Sequence, residues 1–286
     1  EIGSGLVGSE MCIRDSNTPT RILLTGFALA PALTLLGCSK SAETGNGYKE
    51  IKLGTLSGPH AEIAEVAVKL AAKDGLKVKI VEFSDYGHLN EALSTGDIDC
   101  NAFQHKPFLD KAAATKGYKF TALGKTVIFP IGVYSAKIRR KEDITDGMLV
   151  SVPADAVNLG RGLQLLERNG IIKLRPGTGI HAALTDITEN PKHLVFREVD
   201  SAYLGRSLPD VGFAIINGSW AVKSNLTPAK DAFILEGADS DFANVLVVQT
   251  KDKDRPEFKI LLKAYQSPEV KKFVDEKYKG SVAAAF

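Results

Sequence analysis

The sequence predicts an α/β fold in two lobes, each a doubly wound sheet, with a ligand cleft between them. Three observations carry this. Strand-like and helix-like segments alternate over residues 50–103, the grammar of a wound sheet. The same alternation recurs over residues 149–217. The chain has 286 residues, 44% hydrophobic and 24% charged, enough for two cores of ordinary size.

Residues 1–16, EIGSGLVGSEMCIRDS, show no periodicity and read as a translated sequencing adaptor joined to a truncated gene. Residues 17–37 read as a truncated signal peptide. Their apolar run, ILLTGFALAPALTLLG, is 16 residues long, where a membrane span needs about 20. Arg21 stands before it as the remnant of a basic flank. The string LLGC at 35–38 resembles a lipobox, so Cys38 is the expected lipidation site. Residues 38–48 then read as the lipidated cysteine and a polar, flexible tether. These features place the chain in the cell envelope, lipid-anchored to a membrane and facing the periplasm or the extracellular side. A buried apolar helix with an incidental cysteine is the competing reading.

The body opens with the strand EIKLGTL (50–56). In the helix that follows, Ile63, Val66, Ala67, Leu70 and Ala71 share one apolar face, and Gly75 sits where a C-terminal cap belongs. KVKIVEF (77–83) alternates as a strand does. HLNEALSTGD is a short helix and IDCNAF (98–103) a third strand. FTALGKTVIFPIGVYS and AKIRRKED look like the connection to the second lobe. There LVSVPA (149–154) is a strand, and NLGRGLQLLERNG a helix with Leu159, Gly162, Leu163 and Leu166 on one face. HLVFREV (193–199) and VGFAIIN (211–217) are strands around a short helical turn. ANVLVVQT (243–250) is a last strand, and two helices, PEFKILLKAYQS and PEVKKFVDEKYKG, close the chain against either lobe. The expected lobes are 49–135 with 245–286, and 136–244.

Ligands of open α/β sheets bind beyond the C-terminal ends of the strands. That rule selects Tyr86 after KVKIVEF, Phe103, His105 and Phe108 after IDCNAF, Asn158 and Arg161 after LVSVPA, and Asn217 at the end of VGFAIIN. One wall is aromatic and the other offers amides and a guanidinium, which suits a small amphiphile with a carboxylate. Arg161, in the first turn of its helix, can meet a carboxylate with two parallel bonds. Asn158 is also placed to cap that helix. Structural roles compete throughout: the rings as core, His105 as a satisfied structural histidine, Arg161 as an exposed helix residue.

Other chemistry finds little footing. A net charge of +2 argues against nucleic acid. Cys12, Cys38 and Cys100 cannot form a disulfide framework. No histidine pair has metal-ligand spacing, so neither a metal nor a cofactor is expected. Gly177, Gly179 and Ala182 mimic a dinucleotide motif but follow Arg175 and Pro176 rather than a strand, so a turn explains them. Arg139 and Arg140 read as a solvated face, with docking to a membrane partner as the alternative. No catalytic residue is expected.

The motifs PHAEIAEVA, EFSDY, NAFQHKPFL, NLGRGLQLLERNGIIKL, DITENPKHL, RSLPDV and AIING, in this order, resemble the NlpA-type lipoproteins, the methionine-binding subunits of ABC importers. The resemblance covers residues 48–286. It implies a two-lobed periplasmic-binding-protein fold of type 2, a lipid anchor, methionine (L or D) or a close analogue as ligand, and a permease and ATPase as partners. Residue by residue, it implies a side-chain pocket of Tyr86, Phe103, His105 and Phe108. The polar end would be Asn158, Arg161, Asn217 and Asn244. Phe108 stands where many relatives have Tyr. Alternatives are binding of another apolar amino acid or a methionine dipeptide, a surface adhesin or chaperone, and an exported amino-acid-acting enzyme.

Overall fold

A computed structural model describes residues 47–48, 50–237 and 240–286. The adaptor-like segment, the apolar leader and Cys38 lie outside the described residues.

The first half builds β1 (Ile51–Leu56), α1 (Pro59–Ala71), β2 (Val78–Phe83), α2 (Leu89–Thr95) and β3 (Cys100–His105). The apolar face of α1 sinks Ile63, Ala64, Ala67 and Ala71, while Val66 and Leu70 stay half-buried. Gly75 ends it in the left-handed region at φ 82°, a conformation with no Cβ penalty for glycine. Then come α3 (Lys106–Lys116), β4 (Phe120–Lys125), β5 (Val127–Ile128) and β6 (Gly132–Tyr134).

The second half follows with β7 (Leu149–Pro153), α4 (Ala156–Arg168), the small pair β8 (Lys173–Leu174) and β9 (Ile187–Glu189), and β10 (Val195–Val199). It continues through α5 (Leu204–Ser207), β11 (Phe213–Ile216), α6 (Gly218–Lys223), α7 (Pro228–Asp231) and β12 (Ile234–Leu235). The chain closes with β13 (Asn244–Gln249), α8 (Pro256–Tyr265), α9 (Pro268–Tyr278) and β14 (Ala283–Ala284).

Two five-stranded sheets result, ordered β2-β1-β3-β13-β4 and β10-β7-β11-β6-β12. In each, three neighbouring strands are parallel, as the alternation predicts. The remaining pairings are antiparallel, so the sheets are mixed. The reason is directional. Parallel strands run toward the cleft, whereas β6 and β13 bring the chain in from it and must run the other way.

The connection between lobes is shorter than expected. Residues 120–125, expected as part of it, form an edge strand, β4, on β13 from Val245↔Lys125 to Gln249↔Phe120. Residues 132–134, expected in the first lobe, pair with β11 and β12 in the second sheet. The crossing is thus residues 129–131, and the return runs from Glu236 toward Asn244.

The first lobe's core packs β1, β3 and β13 against α1, α8 and α9, around Ile51, Leu53, Ile63, Phe258 and Val270. The closing helices therefore return to the first lobe. The second core gathers Val150, Val152, Leu163, Leu166, Phe213 and Ile215. A third cluster spans the cleft, joining Leu56, Leu89 and Phe103 to Tyr134, Ile216 and Trp220. Two helices approach backbone closely. A Cβ at Gly160 in α4 would lie 2.3 Å from the Ile180 carbonyl oxygen, and one at Gly218 in α6 2.5 Å from that of Pro130.

Candidate binding cleft

Tyr86, Phe103, His105, Phe108, Asn158, Arg161, Asn217 and Asn244 all line one cavity between the lobes. His60, Gln104, Phe129 and Ser219 line it too.

The rings form a continuous wall. Tyr86 lies 6.0 Å from Phe103, 5.7 Å from Phe108 and 5.7 Å from Trp220, centroid to centroid. Phe103 and Phe108 meet edge to face at 6.1 Å. Such geometries suit the ring quadrupoles. Phe103 is also part of the cleft-spanning core, so its structural and lining roles coincide.

His105 ends β3 and starts α3. Its Nδ1 accepts the Phe108 N–H at 3.2 Å, which leaves the proton on Nε2. Nε2 donates across the cleft to Asn158 Oδ1 at 3.2 Å. Burial, and then the nearby Arg161 charge, pull the His105 pKa down to about 3, so the ring is neutral.

Asn158 is not the cap of α4. That role falls to Asp155, whose carboxylate accepts the Asn158 N–H at 2.9 Å. The same carboxylate takes the Asn158 amide N–H at 3.0 and 3.1 Å. This turns the Asn158 carbonyl toward His105 and toward Asn217 Nδ2, 2.8 Å away. Burial raises the Asp155 pKa, against the pull of these hydrogen bonds. Asn244, at the return into the first lobe, donates Nδ2 to the Phe103 carbonyl at 3.1 Å. Asn217 Oδ1 is buried with no hydrogen-bond partner among the described residues.

Arg161 is buried, with only 3% of its side chain exposed. Its two-bond edge, the feature expected to hold a ligand carboxylate, is already occupied. Nε donates to Glu236 Oε1 at 3.0 Å and Nη2 to Glu236 Oε2. Nη2 also donates to the Phe129 carbonyl at 3.1 Å, and Phe242 covers the guanidinium face at 4.4 Å. Nη1 has no partner among the described residues. Glu236 also accepts the Ile131 N–H at 3.2 Å. The ion pair thereby ties α4 to both segments that pass between the lobes.

Sequence reading did not find Glu236, because a lone acid after a two-residue strand carries no local signal. His60 it could have found. It follows β1 just as Tyr86 follows β2, so the strand-end rule selects it. The His60 ring lies tilted against Phe129, with centroids 4.2 Å apart, and burial lowers its pKa to about 3. Elsewhere, Cys100 is a buried thiol, Gly177 and Gly179 sit in a turn with positive φ, and Arg140 pairs with Asp143 at the surface. Among the described residues no group of three His, Cys, Asp or Glu side chains is placed to hold a metal.

The family model described as NlpA lipoprotein matches residues 51–286. The D-methionine-binding lipoprotein MetQ of Salmonella typhimurium is 44% identical over 256 residues, covering 88% of this chain and 93% of that protein. The protein of the same name from Yersinia pestis is 42% identical, with the same coverage of 88% and 93%. The solved structure of a nutrient binding protein from Burkholderia cenocepacia bound to methionine superposes with a TM-score of 0.81 at 48% identity. It covers 82% of this chain and 100% of that one.

Proposed function

We propose a function from one premise: the chain belongs to the NlpA lipoprotein family. It is the substrate-binding lipoprotein of a methionine import system, capturing the amino acid between its lobes and delivering it to a permease driven by an ATPase. It performs no chemistry on the ligand. Cys38 carries the lipid anchor, and Cys38→Ala should shift the protein from the membrane to the soluble fraction.

The observation that carries the reading is the set of unspent polar groups in one aromatic cavity. Asn217 Oδ1 is a buried acceptor with no partner among the described residues, and Arg161, whose Nη1 makes no hydrogen bond among them, lines the same cavity. A buried polar atom left unpaired costs about 1–3 kcal/mol, and a ligand bearing the complementary groups removes that cost. The carboxylate falls to Nη1 of Arg161, which stands in the second turn of α4 rather than the first. The ammonium falls to the carbonyl oxygens of Asn217 and Asn244. The thioether lies against Tyr86, Phe103 and Phe108, since sulfur packs favourably on aromatic rings.

Calorimetry on the purified chain tests this. Methionine should bind, and glutamate should lose badly, because the ring wall offers its second carboxylate no partner. Arg161→Ala should weaken methionine by roughly tenfold to several thousandfold, the equivalent of about 2–5 kcal/mol. Glutamate binding as well as methionine would overturn the pocket assignment.

A further inference from the structure

The Arg161–Glu236 pair does more than hold a side chain still. Both side chains are almost wholly buried, with 3% and 4% exposed. Such a pair behaves as one neutral object, and adding or removing a charge beside it carries a large desolvation cost. The other titratable groups around it do not change that balance: Arg168 and Asp241, which share a surface pocket with Glu236, carry opposite charges. His60 and His105 are held neutral by burial. Burial also keeps the Tyr86 hydroxyl protonated. Asp155 is answered locally by the N–H and amide of Asn158 and by the start of α4. The charge of Arg161 is therefore balanced before any ligand arrives.

We propose that Glu236 sets a charge rule for the cleft: with Arg161 already paired, the site accepts a ligand only as a net-neutral zwitterion. This rests on the reading of the cleft as an amino-acid site and adds the residue that enforces the class. A lone buried arginine would favour a simple carboxylate anion. With Glu236 in place, an incoming carboxylate leaves surplus negative charge unless the ligand carries its own ammonium. Asn217 and Asn244 can accept from that ammonium but supply no charge, so the compensation must come from within the ligand. A cation lacking the carboxylate is equally unmatched. Specificity of this kind works by penalising the wrong ligand, not by adding contacts to the right one.

The test compares three ligands by calorimetry on the full chain. They are methionine, its 2-hydroxy acid analogue (an anion) and methioninol (a cation). In the parent, both analogues should bind at least roughly a hundredfold more weakly than methionine. Glu236→Gln keeps the shape and removes the charge. In that variant the affinity of the hydroxy acid relative to methionine should rise roughly tenfold or more. Both ligands use Arg161, so any loss of its orientation cancels in the ratio, and a merely structural role for Glu236 would leave the ratio unmoved. An unchanged ratio in the folded variant overturns the rule. Should the variant fail to fold, the parent decides: a hydroxy acid binding within a few-fold of methionine overturns it. A parent that binds none of the three overturns the amino-acid reading itself, and the rule with it.

Discussion

At the scale of single residues, two histidines that line the cleft are held uncharged. His60 and His105 titrate near 3 in the folded chain, against about 6.5 when unfolded. The unfolded chain therefore takes up protons between these values and the folded chain does not. Their contribution to stability is full above pH 6.5 and is lost as the pH falls toward 3. The expected outcome is a melting temperature that is flat near neutrality and declines below about pH 6.5. His60→Gln should flatten that decline by up to one proton, about 1.4 kcal/mol per pH unit. Denaturation curves from pH 4 to 8 check it, and an unchanged slope would show that His60 is not held neutral. The same scale shows what a sequence withholds. Asn158 and Arg161 were legible because they follow a strand and open a helix. Glu236 was not, because its meaning lies in a partner 75 positions away.

At the scale of elements, α4 does the most. Asp155 caps it, Asn158 and Arg161 are spaced to reach the cleft from one side, and Leu163 and Leu166 enter the second core. On another side Gly160 lets the turn at Ile180 close against the helix. The obstacle there is backbone, which cannot rotate away as a side chain could. Gly160→Ala should cost about 1–3 kcal/mol by overpacking. Because the helix carrying Arg161 must shift, methionine affinity should fall with stability. Thermal melts and titrations on the same sample check it, and a variant that binds and melts as the parent does would show that the turn gives way freely. The helices and parallel strands were readable from periodicity, since their burial is decided locally. β4 was not. FTALGK is half-buried along its length and becomes a strand only because β13 arrives to pair with it.

At the scale of the whole molecule, several contacts draw the lobes together, three of them around the cleft. His105 reaches Asn158 at 3.2 Å, Trp220 meets Tyr86 at 5.7 Å, and at the rim Lys223 Nζ donates to Ser57 Oγ at 2.6 Å. The first two belong to the cavity between the lobes and its ring wall. In the third, Lys223 also sits over the Trp220 ring at 5.0 Å, whereas the Ser57 hydroxyl touches neither, so the contact can be removed from the Ser57 side without altering the proposed binding groups. Ser57→Ala should raise the ligand dissociation rate roughly two- to fivefold, matching the loss of about 0.5–1 kcal/mol from one hydrogen bond. Association should hardly change, since a bond at the rim acts on a ligand already between the lobes. Stopped-flow fluorescence, with Trp220 beside the cleft, reads both rates, and an unaltered dissociation rate would dismiss the rim contact as incidental.

The position of β13 has a consequence for how the chain is made. It lies between β3 and β4 in the first sheet, yet it is synthesised only after the entire second sheet. Every strand of that second sheet lies within residues 132–235, so it can be completed while the first still lacks a central member. During vectorial emergence, β3 and β4 present unpaired edges that only β13 can fill, and exposed edges invite association with other chains. The later-born half of the molecule therefore matures first. The lobe that carries both ends of the body is the last to close, and the interval before β13 arrives is when its sheet edges are open to other chains.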